Sequence, residues 1–83
     1  MNNTAIVIFN IVNRGISVDL EIPLDITTKE LVMGLNEAYH LDIDTYDIKQ
    51  CYLKTENPIA LLRGNKLISY YGIHNGTIIN FTK

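Results

Sequence analysis

Residues 16–22 alternate without a break, with Ile16, Val18, Leu20 and Ile22 set against Ser17, Asp19 and Glu21. A period of two is the signature of a half-buried strand. The preceding Asn13-Arg14-Gly15 supplies turn residues, and Gly15 is free to take a positive φ. Before the turn, residues 4–12 carry Val7, Phe9 and Ile11 on one side and Ile6, Ile8 and Asn10 on the other. Both sides are largely apolar, which suits a central strand better than an edge. The chain therefore opens with a hairpin whose first strand lies inside a sheet.

Pro23 has no N–H for a ladder and ends the second strand. Thr27-Thr28-Lys29-Glu30 then has the spacing of a capping box, with Thr27 accepting from the Glu30 amide and the Glu30 side chain reaching back. A helix is predicted to about His40, its buried stripe made of Leu31, Val32, Leu35, Ala38 and Tyr39. Gly34 interrupts it at a cost of about 1 kcal/mol relative to Ala, which suggests a close approach to the sheet. Residues 42–47 read as an acidic connection, 48–54 as a third strand, 55–58 as a turn and 59–62 as a short fourth strand. Residues 66–71 are predicted to be irregular or 3₁₀, residues 72–76 a tight turn with two left-handed positions, and 77–81 the last strand.

The order is β-β-α-β-β-β. Its economical packing is an α+β fold, one five-stranded mixed sheet with the helix across one face. A right-handed crossover is expected to set the third strand or its successor beside the first, in parallel. This is the β-grasp arrangement. Eighty-three residues suffice for one domain, predicted over residues 1–83 with 1–3 flexible. With 47% hydrophobic and 19% charged residues, the chain can build a core.

The remaining composition narrows the function. One cysteine, Cys51, excludes an internal disulfide framework and favours a reducing compartment. Cys51, His40 and His74 share no metal-ligand spacing. The start lacks a basic n-region, and the longest late uncharged stretch, residues 67–82, is shorter than the ~20 apolar residues of a membrane helix. A soluble, cytoplasmic protein is expected, without membrane insertion. Residues 1–56 hold all nine acids against Arg14, Lys29, Lys49 and Lys54, while residues 57–83 hold Arg63, Lys66 and Lys83 and no acid. The basic end is too sparse to neutralise many phosphates, so nucleic acid is not expected as a partner.

The stretch Gly64-Asn65-Lys66-Leu67-Ile68-Ser69-Tyr70-Tyr71-Gly72-Ile73-His74-Asn75-Gly76-Thr77 resembles the end of ubiquitin-like domains, where a Lys-Leu pair leads through an aromatic turn to the final strand. Over residues 4–82 the chain looks most like the YukD/EsaB family of free-standing ubiquitin-like proteins of type VII secretion in Gram-positive bacteria. The resemblance implies an accessory or regulatory role through protein contacts with membrane components of that machine. Conjugated ubiquitin and sulfur carriers use a C-terminal Gly-Gly that is adenylated, whereas here the sequence closes on Phe81-Thr82-Lys83. Conjugation and sulfur transfer are not expected, in keeping with the resemblance. The alternatives are a generic ubiquitin-like adaptor, or a carrier protein should the native chain continue to a Gly-Gly.

No catalytic, cofactor-binding or metal set is expected. Cys51 sits mid-strand away from either histidine, which fits a small buried hydrophobe better than a nucleophile. An iron–sulfur cluster needs four thiolates. His40 and His74 lack an evident carboxylate partner and read as surface or capping residues. Asp42, Asp44 and Asp47 lack the glycine and terminal Glu of a calcium loop. The candidate site is instead a partner surface. If Val7, Phe9, Ile11, Ile79 and Phe81 face the helix, period two puts Ile6, Ile8 and Ile78 on the outer face, with Tyr52 joining them. Arg63 and Lys66 are placed on its rim. Parity leaves Leu61 and Leu62 open. Covering by a weak homodimer, or shading by Lys54 and Arg63, are the other readings of that face.

Overall fold

The computed structural model describes residues 3–82. Strand β1 (Thr4–Ile11) runs through a 3₁₀ turn (Val12–Arg14) into β2 (Ile16–Pro23). Helix α1 (Thr28–Tyr39) follows, then β3 (Tyr52–Glu56), β4 (Ala60–Arg63), a second 3₁₀ turn (Ile68–Tyr71) and β5 (Ile78–Phe81). The strands form one sheet in the order β2-β1-β5-β3-β4. Only β1 and β5 are parallel; the other three pairs are antiparallel. The expected β-grasp is present, with one correction. The strand beside β1 is β5, the last, not the third or fourth. The chain from the helix thus passes beyond β1's neighbour to lay down β3 and β4, then returns to fill the centre.

The opening turn and the helix form as their sequences require. Gly15 closes the first turn at φ 62°, its N–H donating to the Val12 carbonyl at 3.2 Å. The capping box is complete: Glu30 N–H donates to Thr27 Oγ1 at 3.1 Å, and Thr27 N–H to Glu30 Oε1 at 2.9 Å. The helix ends at His40 in the left-handed region, with φ 53°. His40 is the exposed C-cap of the helix, and a cation from the hairpin turn, Arg14, meets the helix's negative end. Its guanidinium donates to the Tyr39 and His40 carbonyls.

The core lies between helix and sheet. Ala5, Val7, Phe9 and Ile11 of β1 are buried against Val32, Leu31 and Leu35, and Leu53, Leu62, Ile79 and Phe81 extend the layer. Phe9 packs its ring on Tyr39 at 5.3 Å between centroids. Fully burying such side chains contributes roughly 1.5–3 kcal/mol each before ordering costs. Leu41 and Ile43 close the side of the core, held by Asn36, whose side chain bonds both main-chain groups of Ile43.

Several local expectations differ. Ala38 is exposed, and Ile16, at the start of the edge strand, is only partly covered at 38% exposure. Val12 belongs to the 3₁₀ turn and points to solvent. Gly34 marks no close approach, since a Cβ there meets nothing within 4 Å. The third strand starts at Tyr52, not at residue 48. Asp44 and Asp47 fold residues 44–51 into turns: Tyr46 N–H donates to Asp44 Oδ1 and Lys49 N–H to Asp47 Oδ1. These carboxylates take up main-chain donors that a strand would have used, and Ile48 is left 79% exposed. The predicted flexible start falls on residues 1 and 2, outside the described residues, and on Asn3, whose carbonyl accepts from Leu24 N–H at 2.8 Å.

Candidate partner-binding face

The helix covers one face of the sheet and leaves the other bare. Alternation along β1 buries Val7, Phe9 and Ile11 and sends Ile6, Ile8 and Asn10 outward. In β5 it buries Ile79 and Phe81 and sends Ile78 and Asn80 outward. In β3, Leu53 and Thr55 face in, so Tyr52, Lys54 and Glu56 face out. Leu62 is fully buried and Leu61 is 44% exposed, which resolves the parity that the sequence leaves open in β4.

Register orders these side chains into rows across the sheet. One row runs Asp19, Ile8, Ile78, Glu56, because Ile8 pairs with Asp19 and Ile78, and Ile78 with Glu56. The next runs Ser17, Asn10, Asn80, Lys54, Leu61. Beyond it Tyr52 pairs with Arg63. Asn10 Nδ2 donates to Asn80 Oδ1 at 2.9 Å, and Asn80 Nδ2 to Glu56 Oε2 at 2.8 Å. The six candidate residues therefore do not meet as one patch. Ile6, Ile8 and Ile78 gather at one end, fringed by Asp19, Glu21 and Glu56. Tyr52 and Arg63 lie across the polar asparagine row. Lys66 lies off the sheet, its carbonyl accepting from Thr28 N–H and its Nζ 4.4 Å from the Tyr70 ring centroid.

The far end is a groove that the sequence reading does not assemble. Arg63, Lys66, Tyr70, Tyr71, Ile48 and Lys49 line a shallow depression of about 480 Å³. It is continuous through Ile48, Lys49 and Arg63 with a second of about 250 Å³ against Tyr52, Lys54 and Leu61. Tyr70 and Tyr71 meet edge to face at 5.2 Å. The Tyr71 hydroxyl donates to the Arg63 carbonyl at 2.9 Å and accepts from its N–H at 3.4 Å. The signal in the sequence was the acid-free stretch from residue 57 onward. What it could not give was the loop that brings Ile48 and Lys49 alongside.

The groups weighed for chemistry are otherwise engaged. Cys51 is buried, with Sγ 3.4 Å from the Thr45 carbonyl oxygen. His74 Nδ1 lies 2.8 Å from the Asn75 carbonyl oxygen in the turn before β5.

A family model described as WXG100 protein secretion system (Wss), protein YukD, matches residues 6–80. The chain belongs to the YukD family. That match takes in the helix, β2 to β4 and most of β1 and β5, and it makes this YukD-family chain a ubiquitin-like, secretion-associated protein. The fold agrees with solved ubiquitin-like domains. The C-terminal ubiquitin-like domain of mouse tubulin-specific chaperone e superposes with TM-score 0.70 at 11% identity, covering 95% of this chain and 84% of that one. The UBL domain of Plasmodium falciparum Dsk2 gives TM-score 0.61 at 20% identity, covering 93% and 96%. At these identities the likeness establishes the fold alone. No curated protein matches the YukD-family chain in sequence. Among the described residues no helix is long and apolar enough to cross a membrane.

Proposed function

We propose that this YukD-family chain is a non-catalytic, cytoplasmic accessory component of a WXG100, or type VII, secretion machine, and that it acts by contacting membrane components of that machine. The family match over residues 6–80 carries the proposal. The bare sheet face supports contact as the mode of action. An exposed isoleucine at the open end of a central strand, Ile6 at 54% exposure beside Ile8 and Ile78, is the kind of apolar surface that partners cover. Tyr52, Arg63 and Lys66 extend the proposed surface beyond the asparagine row. Support for the absence of catalysis comes from the same groups already described: a buried thiol held by main-chain carbonyls, and histidines with no carboxylate bonded to them among the described residues.

The test is export of the small WXG100 substrates by a strain lacking the gene. Complementation uses the wild-type gene and the Ile6→Glu/Ile8→Glu variant, with cellular levels matched. Export lost on deletion and restored by wild type alone is the expected result. Normal export without the gene removes the secretion role. Full rescue by the folded double variant removes the isoleucine surface.

A further inference from the structure

We propose that the groove between β4, the Ile48 loop and the Tyr70–Tyr71 turn is a docking site for an acidic peptide segment of another protein, one that carries aliphatic or aromatic anchors. The inference rests on the reading of this chain as a protein-contact module and specifies what one of its surfaces takes.

The distribution of charge carries the proposal. Four of the chain's seven Lys and Arg residues, Lys49, Lys54, Arg63 and Lys66, line the two joined depressions, and no Asp or Glu lines either. Among the described residues none of the four head groups is in a hydrogen bond or an ion pair; Lys66 has only the Tyr70 ring. Several of the carboxylates are in the opposite condition. Glu21 accepts from Thr4, Glu30 closes the capping box, Asp44 and Asp47 hold their own turns, and Glu56 accepts from Asn80. The protein has thus tied several of its acids into local structure and left one cluster of cations facing an open groove. In a chain of net charge −2, the groove is where an anionic partner finds complementary potential.

The lining narrows the partner's class. Ile48 at 79% exposure, Leu61, and the faces of Tyr52 and Tyr70 give apolar footing between the charges. Carboxylates flanking an aliphatic or aromatic anchor match that alternation, with guanidinium–carboxylate pairing at Arg63 as the directional element. A polynucleotide fits less well. Four cations release few counterions, and a chain of net negative charge repels a polyanion at long range. The occupant lies on the groove rather than adding a strand at Arg63. β4 is the sheet edge, but the Tyr71 hydroxyl already bonds both main-chain groups of Arg63 there.

The experiment is titration of the ¹⁵N-labelled chain with a twelve-residue peptide of alternating Glu and Leu/Phe. A Gly/Glu peptide of equal charge and a single-stranded oligothymidylate of equal length serve as comparators. The expected result is saturable shifts confined to Ile48, Lys49, Leu61, Arg63, Tyr70 and Tyr71. Affinity is expected to fall roughly tenfold on moving from low salt to 0.5 M salt, and by a similar factor in Arg63→Glu. Ile48→Ser, on an exposed loop outside the core, is expected to weaken the peptide several-fold while preserving the rest of the spectrum. Equal binding by the Gly/Glu peptide, tighter binding by the oligonucleotide, shifts centred on Ile8 and Ile78, or groove shifts that saturate with protein concentration alone each overturn the proposal. Its failure is distinguishable from failure of the secretion role. Peptide binding with normal export in the deletion strain sinks the role and keeps the groove, and the reverse outcome sinks the groove alone.

Discussion

The Arg14 guanidinium reaches across from the hairpin turn and donates to the Tyr39 carbonyl at 2.7 Å, and its second nitrogen to the neighbouring His40 carbonyl at 2.6 Å. The last carbonyls of a helix have no partner within it and carry the negative end of its dipole. One side chain therefore closes the helix and pins it to the β1–β2 turn. Arg14→Ala is expected to lower stability by about 1 kcal/mol, with Arg14→Lys restoring only part of it because a single ammonium replaces the fork. Denaturant unfolding of the two variants measures this. Amide exchange should quicken first around residues 38–41.

Gly34 has an ordinary helical place with open space where a Cβ would stand. Gly in a helix interior costs roughly 0.5–1 kcal/mol relative to Ala, largely through the freedom it gives the unfolded chain. Gly34→Ala is therefore expected to raise the unfolding free energy by about that amount without altering the fold. Thermal unfolding checks it, and a lower midpoint would mean that the helix does need a bare backbone there.

Gly34 also shows where the sequence misleads. A glycine inside a helical pattern invites a packing explanation, yet the pattern holds no information about what lies across from that position. The hairpin, the capping box and the final strand were legible because each rests on neighbours in sequence: alternation, a three-residue spacing, a turn with Gly72 and Gly76. The start of β3 was not, because Asp44 and Asp47 capture main-chain donors that a strand pattern assigns to a ladder. The outer-face isoleucines followed from period two alone, since burying Val7 and Phe9 leaves Ile6 and Ile8 no other side. Which of them are neighbours did not, because that depends on β5 entering between β1 and β3. The basic groove depends on a loop and a turn from distant parts of the chain, and only its charge bias was visible.

Parity makes a sharp contrast in stability. Ile6 is half exposed, and Phe9, three residues on, is fully buried against Tyr39. Ile6→Glu is expected to change stability by less than about 1 kcal/mol, whereas Phe9→Ala should cost about 3–5 kcal/mol. The second is a large share of the 5–15 kcal/mol typical of a folded domain. Chemical denaturation of both variants tests the assignment of faces. A large loss at Ile6 would mean that this face is packed, and the surface offered to partners would have to lie elsewhere.

The Thr28 side chain is buried at the first turn of the helix, and its hydroxyl is the one buried side-chain polar atom without a hydrogen-bond partner among the described residues. Its main-chain N–H is satisfied by the Lys66 carbonyl at 3.0 Å, so the backbone does not depend on the hydroxyl. A buried donor left unbonded costs about 1–3 kcal/mol, and an isosteric apolar group removes that cost. Threonine and valine are both branched at Cβ and similar in shape, so valine fills the same space. Thr28→Val is accordingly expected to hold or raise stability by up to about 1 kcal/mol, while Thr28→Ala should lower it by opening a cavity at the buried helix start. Paired urea unfolding curves distinguish the two effects. A loss in Thr28→Val as large as in Thr28→Ala would mean that the hydroxyl has a partner in solution.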